Sequence, residues 1–366
     1  MSETILEIHL PHLKHNYHFL KNRLRPTTKV LAVVKAFGYG SDAVVVAKCL
    51  AQEGADYFGV AYVNEGIQLR KAGITQPILV LHPQVTNLQK LIAHDLEPSV
   101  YSQRLFDALL AELKQAGKKN YPVHLKFNTG LNRLGLNPDD CSTLLSQLEH
   151  NKEHIRLQGV FSHLAASDDL SEDPFTTSQL NAFKQVVDLV KPLHPDAIVH
   201  TLNTSGVMHY PQGQYDMVRT GISLYGYGNT PEVDAQLRPV LKLKTIISQI
   251  HQLEAGDSLG YNRAFVASKP TQTATLPLGH ADGIGRIYGN GNGFVFIHGK
   301  KTPILGNVCM DMIMVDVTNI DCEEGDEVLI IGPHGTAEDL ANSAGTISYE
   351  LITGLSQRIQ RRIIAN

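Results

Sequence analysis

The sequence predicts an α/β chain, with a (β/α)8 TIM-type barrel over residues 1–235 and a mostly β domain over residues 236–366. Three observations carry this. Short apolar runs alternate with stretches of helical period between residues 30 and 220, and the runs number eight, as a closed parallel barrel requires. After residue 235 the long helical stretches stop, and strand-like runs follow one another with turn residues between them. An open doubly wound sheet also fits the alternation, because the fourth and eighth runs are weak.

The expected barrel strands are VLAVV (30–34), YFGVA (57–61), PILVL (77–81), EPSV (97–100), YPVHLKF (121–127), IRLQGVFSH (155–163), AIVHTL (197–202) and YDMVR (215–219). Between them KCLAQEG, NEGIQLRKAG, SQRLFDALLAELKQAG and TSQLNAFKQVVDLVK carry the clearest amphipathic period. Beyond Pro239 the runs VLKLKTIISQI, TATLPL, GFVFIHG, KTPILGNV, IMVDVT and DEVLIIG read as strands, with helix returning near SYELITGLSQRI. GNGNG at 289–293 has the look of a phosphate loop, but an Asn-Gly hairpin turn between two strands explains it better.

Composition narrows the function classes. The chain has 366 residues, 43% hydrophobic and 19% charged, enough for a sizeable core. A net charge of −4 provides no basic field for nucleic acid or acidic membranes. Cys49, Cys141, Cys309 and Cys322 form no C-x-x-C pair and no metal spacing, which suits reduced thiols in a cytoplasm. No signal-peptide pattern and no apolar run near ~20 residues is present, so a soluble cytoplasmic protein is expected. His9, His12, His15 and His18 recur every three residues, yet no carboxylate or cysteine completes a metal set, and Pro11 is expected to start a helix there.

A barrel places its active site at the C-terminal ends of its strands. Here those ends carry Lys35, Lys126, His163, Asn203 with Thr204, and Arg219 followed by Gly221 and Ile222. Singly, each is unremarkable: a lysine closing a strand ordinarily carries the chain into solvent, and a lone histidine is more often structural. Jointly they describe a cationic mouth for a small anion such as a phosphate, to which Gly221 and Ile222 could offer backbone N–H groups. Desolvation and neighbouring cations lower a lysine's pKa, and a reactive amine at a phosphate site suits a Schiff base with pyridoxal phosphate. Phosphosugar aldolases also use barrel lysines, so the residues alone leave both readings open.

KAFGYG, Lys35 to Gly40, resembles the K-A-x-x-Y-G signature of the alanine racemases, the fold-type III pyridoxal phosphate enzymes. The resemblance continues in order through VHLKFNTGLNRLG (123–135), GVFSHLAASD (159–168), NTSG (203–206), DMVRTGISLYG (216–226), GYNRAF (260–265), HADGIGR (280–286), GNVCMD (306–311) and TISYEL (346–351). It implies that Lys35 holds the cofactor and serves as one catalytic base. Tyr261 would be the second base, delivered by the other subunit of a homodimer. Tyr39, Asn203 or Thr204, Gly221, Ile222 and Tyr349 would bind the phosphate, His163 would lie against the pyridine ring and Arg219 would face its nitrogen. Arg133 and Met310 would meet the substrate carboxylate, and Lys126 would match a lysine that is often carbamylated. The implied activity is interconversion of L- and D-alanine, supplying D-alanine for peptidoglycan. The partners are then a small amino acid and a second copy of the chain, with no nucleic acid, membrane or metal.

Departures from the family pattern are Phe37-Gly38 in the variable pair, Ser41-Asp42 for His-Gly, Asn128 for an aspartate, Thr204 for a serine and His280 for a tyrosine. Phe37 and His280 leave open a broader racemase acting on serine or other small amino acids. A basic amino-acid decarboxylase fits less well, given the intact GYNRAF and GNVCMD motifs. A lone-barrel pyridoxal-phosphate-binding homeostasis protein would end near residue 235. A metal-dependent barrel hydrolase would need His and Asp ligands at strand ends.

Overall fold

The computed structural model describes residues 3–365. Its first strand, β1 (Ile5–His9), leads into a helix, Leu10–Lys21, with Pro11 in the first turn. The barrel follows as β2 (Lys29–Val33), β3 (Tyr57–Val60), β4 (Ile78–Val80), β5 (Glu97–Val100), β6 (Tyr121–Lys126), β7 (Ile155–Phe161), β8 (Ile198–His200) and β9 (Met217–Thr220). These eight pair in parallel in the order β8-β7-β6-β5-β4-β3-β2-β9. The last seam, β8 to β9, is drawn together by Asp216 N–H to Val199 O and Arg219 N–H to Leu202 O, both 3.0 Å. A nearly closed parallel barrel forms, not the open sheet, and both short runs are strands.

The strands are rich in Val, Ile and Leu because both faces are covered, one by the barrel interior and one by helices. The helix Gln103–Gln115 shows the outer layer's logic. Leu105, Phe106, Leu109 and Leu113 make one buried stripe, each contributing about 1.5–3 kcal/mol, and the Ser102 hydroxyl caps the N-terminus by accepting from Leu105 N–H. In the helix Ala43–Gln52 the cap is Asp42, whose carboxylate accepts from Val44 and Val45 N–H at 3.0 Å. That is what the departure at Ser41-Asp42 does: it starts the helix that follows the first loop.

The second domain comprises β10 (Leu241–Ile246), β11 (Gln249–Leu253), β12 (Ser258–Leu259), β13 (Phe265–Val266), β14 (Thr271–Leu276), β15 (Phe294–Ile297), β16 (Lys300–Leu305), β17 (Ile313–Asp316), β18 (Glu327–Ile331) and β19 (Gln360–Ile364). Nine strands form one sheet in the order β11-β14-β17-β16-β15-β18-β10-β1-β19. The division expected at residue 235 therefore does not describe the first strand: β1 lies in this sheet, antiparallel to β10 and parallel to β19. GNGNG is a turn, but not between two strands. It follows a 3-10 turn, Arg286–Tyr288, and Asn290 and Gly291 N–H donate to Gly306 O and Ile304 O.

Two contacts fix the domains around the loop after β2. The Arg361 guanidinium donates to Gly40 O and Ser41 O. A Cβ on Gly40 would stand 1.8 Å from Ile352 O, in the helix Ser348–Gly354, so only glycine permits this approach. The histidine stripe serves the same assembly: His12 and His15 bond Pro239 O and Gln236 O, and His18 bonds Glu53.

Candidate active site

Lys35 stands two residues beyond β2, and the chain after it takes a rare path. Ala36, Phe37, Gly38 and Tyr39 have φ of 51°, 56°, 63° and 52°, a left-handed turn of four residues. Left-handed backbone costs roughly 1–2 kcal/mol per non-glycine residue, so the surroundings must hold it. Glu65 does much of this: its carboxylate accepts from Ala36 N–H at 2.8 Å, Ala61 N–H at 2.7 Å and Tyr62 N–H at 3.0 Å. The turn lays the Tyr39 ring on Tyr225, with centroids 4.5 Å apart and 23° between planes, and brings it within 6.2 Å of Tyr349. Its hydroxyl then lies against Gly221, where a Cβ would meet it at 2.4 Å.

Lys35, Tyr39, Gly221 and Tyr349 face a cavity of about 660 Å³ at the C-terminal end of the barrel. Around it stand Lys35, Tyr39, Lys126, Arg133, His163, Asn203, Thr204, Arg219, Gly221, Ile222 and Tyr349. Eleven of the thirteen residues expected at the site therefore share one cavity. Four of the lining side chains are lysine or arginine, and among the described lining residues there is no Asp or Glu. Such a pocket is short of negative charge and suits an anionic guest.

The electrostatics follow from that imbalance. Burial and the Arg133 charge lower the Lys35 pKa, with Glu65 opposing. Burial, then Arg133, Arg219 and Lys35, push the Lys126 ammonium down to about 8. His163 is held well below its usual range by burial and by the Arg219 charge, so it is a neutral imidazole.

Arg219 is buried on β9, with burial pushing its guanidinium down to about 9. Nη1 donates to His200 O at 3.1 Å and faces His200 Nδ1 at 2.9 Å. Nη2 donates to Ser162 O at 2.7 Å and Thr201 O at 3.0 Å, and lies 3.1 Å from His163 Nδ1. Among the described residues, only its Nε–H is left without a bond.

The far wall shows local commitments that the strand-end reading did not foresee. Thr204 Oγ1 accepts from Gly221 N–H at 3.1 Å, while Asn203 Oδ1 accepts from Gly206 N–H and the Ser167 hydroxyl, capping the short helix Thr204–His209. Ile222 opens a 3-10 turn, Ile222–Tyr225.

Tyr261 and Met310 stand apart. Tyr261 is 71% exposed in a 3-10 turn after β12, and Met310 is 60% exposed beside Met312. Neither lines the cavity of its own chain. Their motifs are nonetheless joined, since the Asn307 side-chain N–H donates to Tyr261 O at 3.1 Å, and the Met310 motif is tied to HADGIGR by His280 and Ala281 N–H donating to Cys309 O and Met310 O and by Arg358 bridging Asp282 and Asp311. The strand-end reading also missed Glu65, Tyr62, His82 and Tyr225, which sit at or beside the cavity.

The family model "Alanine racemase, N-terminal domain" matches residues 8–229, and "Alanine racemase, C-terminal domain" matches residues 240–363. An alanine racemase of Treponema denticola is 37% identical over 380 aligned positions, covering 100% of this chain and 99% of that protein. Among solved structures, alanine racemase of Clostridium difficile superposes with a TM-score of 0.93 at 35% identity, covering 100% of this chain and 97% of that one. That of Bartonella henselae, with covalently bound pyridoxal phosphate, gives a TM-score of 0.90 at 30% identity and full coverage of both chains. With both domains matched in order along the chain, it belongs to the alanine racemase family.

Proposed function

We propose that the chain interconverts L- and D-alanine with pyridoxal phosphate bound in the barrel cavity. The single observation that carries this is a half-buried amine, Lys35, set among three further cations in a cavity with no carboxylate among its described lining residues. A phosphate and a substrate carboxylate would fill that deficit. The cradle also fits a phosphate sterically, since Gly221 leaves its Cβ space to the Tyr39 hydroxyl. When bound, the cofactor's ring supplies an electron sink that acidifies the substrate α-carbon.

This chain's residues do the rest. Lys35 Nζ would hold the cofactor and then exchange a proton with one face of the α-carbon. Tyr39, Thr204, Gly221, Ile222 and Tyr349 would hold the phosphate, with Asn203 keeping Thr204 in place through its cap. His163, neutral, would lie against the ring. Arg219 would meet the ring nitrogen with Nε–H, its one uncommitted donor; because a guanidinium only donates, it discourages protonation of that nitrogen. By that contact Arg219 would favour return of the proton to the α-carbon over transamination. Arg133 would bind the substrate carboxylate, and a carbamylated Lys126 would replace repulsion of Arg133 by attraction.

Inversion needs a second base on the opposite face. Tyr261, the base that the family resemblance implies for that face, and Met310 lie exposed on their own chain. In a homodimer each would enter the cavity of the other copy, and that exposure supports the reading. Four free cysteines and the absence of any helix long and apolar enough to cross a membrane, among the described residues, suit a cytoplasmic enzyme supplying D-alanine for peptidoglycan.

The test is a racemisation assay of the purified protein on L-alanine, L-serine and L-lysine, with the cofactor's visible band recorded before and after borohydride. Reduction should bleach the band and leave the pyridoxyl group on Lys35 in peptide mass maps. Turnover of alanine well above serine is expected. Equal turnover of serine would favour a broader racemase, and a protein without the band even after added cofactor would sink the reading.

A further inference from the structure

Barrel interiors are ordinarily filled by branched apolar side chains. Beneath this cavity runs a line of polar ones instead, from β5, β6, β8 and β9. Glu97 Oε2 lies 2.8 Å from His124 Nε2, His124 Nδ1 lies 3.1 Å from His200 Nε2, and His200 Nδ1 lies 2.9 Å from Arg219 Nη1. All four are buried, the two imidazoles completely.

Donor and acceptor counting gives the line a single polarity. A guanidinium can only donate, so His200 Nδ1 must be bare and the His200 proton sits on Nε2. That Nε2–H can donate only to a bare His124 Nδ1. The His124 proton is therefore also on Nε2 and points at the Glu97 carboxylate. Every link is satisfied when both rings are neutral and Glu97 is ionised; reversing either tautomer sets N–H against N–H. Burial and the Arg219 charge hold His200 well below its usual pKa, in agreement. Space for the line is built in. A Cβ on Gly159 would stand 2.6 Å from both His124 Nδ1 and Ile198 O, and Phe161 stacks on His200 with centroids 4.7 Å apart.

We propose that Glu97, His124 and His200 are positioning residues for Arg219. The carboxylate supplies its counter-charge, and the two rings hold the guanidinium so that Nε–H remains its free donor. This rests on the reading of Arg219 as the partner of the ring nitrogen. The cavity lining contains no acid, so this remote anion reaches the buried guanidinium through two neutral rings. Other charges bear on the two ends: Lys126 and His163 feel the Arg219 charge, with Lys35 and Arg133 lining the same cavity, while Arg70, Tyr57 and Tyr121 feel Glu97.

Two measurements on the cofactor-loaded protein test it. The first is ring-15N NMR of histidine-labelled wild type, with His124 and His200 assigned from His124→Gln and His200→Gln spectra. Both should carry their proton on Nε2 at about pH 8, well above the ordinary histidine range near 6.5. Either ring found as the Nδ1–H tautomer or as an imidazolium overturns the proposal. The second is the pH profile of kcat/KM for Glu97→Gln, which keeps the shape and removes the charge. An anion roughly 10 Å from Arg219 at an effective dielectric near 20 is worth about one pH unit. Its loss disfavours the cationic forms, so the alkaline limb should move down by about one unit. An unmoved limb in an enzyme of normal wild-type turnover overturns the relay alone; a wild type that forms no cofactor band overturns the functional reading instead.

Discussion

Gly221→Ala is the sharpest probe of the phosphate cradle. The new methyl carbon would lie 2.4 Å from the Tyr39 hydroxyl, where ordinary contact begins at 3.4 Å, so one of them must yield by 1.0 Å. Tyr39 has little freedom to do so. Its ring is stacked on Tyr225, its side chain is 6% exposed, and its backbone belongs to the left-handed turn held by Glu65. The displaced hydroxyl would lose a hydrogen bond to a charged group, about 1.5–3 kcal/mol. That is roughly 10- to 150-fold in the dissociation constant for pyridoxal phosphate. Equilibrium dialysis of the apo-protein reads it directly, with Tyr39→Phe alongside. The two changes act on one bond, so the double variant should be far less than additive. If Gly221→Ala binds the cofactor within about twofold of wild type while Tyr39→Phe is weakened tenfold, the steric reasoning is wrong.

Gly40→Ala drives a Cβ to 1.8 Å from Ile352 O at a φ of +80°, so it should cost about 2–4 kcal/mol and lower Tm by several degrees in calorimetry. Lys126, with its pKa near 8, is half neutral at pH 8. An ordinary surface lysine is about 0.4% neutral there, so cyanate should modify Lys126 of the apo-protein roughly 100-fold faster in peptide mass maps. His200 stays neutral when folded but takes a proton near pH 6.5 when unfolded, so unfolding takes up a proton as pH falls and stability drops. Urea titrations from pH 7.5 to 5 should show His200→Gln losing that slope, up to about 1.4 kcal/mol per pH unit; equal slopes would mean the ring is charged in the fold.

The strand ends were legible because barrel topology sends every C-terminal end to one mouth. Lys35, Lys126, His163 and Arg219 needed only the strand register to meet. The left-handed turn was less so, since Gly38 alone among residues 36–39 signals positive φ, and Glu65, which secures it, looks like an ordinary helix residue. β1 was hidden for another reason: ILEIH precedes a helix as a first barrel strand would, and its partners lie more than two hundred residues away. The line beneath the cavity left one signal unused. His124 and Lys126 are two apart on β6 and so share a face, which puts His124 inside the barrel once Lys126 points to its mouth. Tyr261 and Met310 entered through resemblance alone, and the single chain leaves them on its exposed face.

The central claim is that this cavity inverts the α-carbon of alanine. L- and D-alanine are equal in energy, so an enzyme that only inverts must carry optically pure L-alanine to an equal mixture. Purified cofactor-loaded protein should bring the optical rotation of L-alanine to zero, with Lys35→Ala leaving it unchanged. A rotation that persists in wild-type protein showing the full cofactor band would contradict the account.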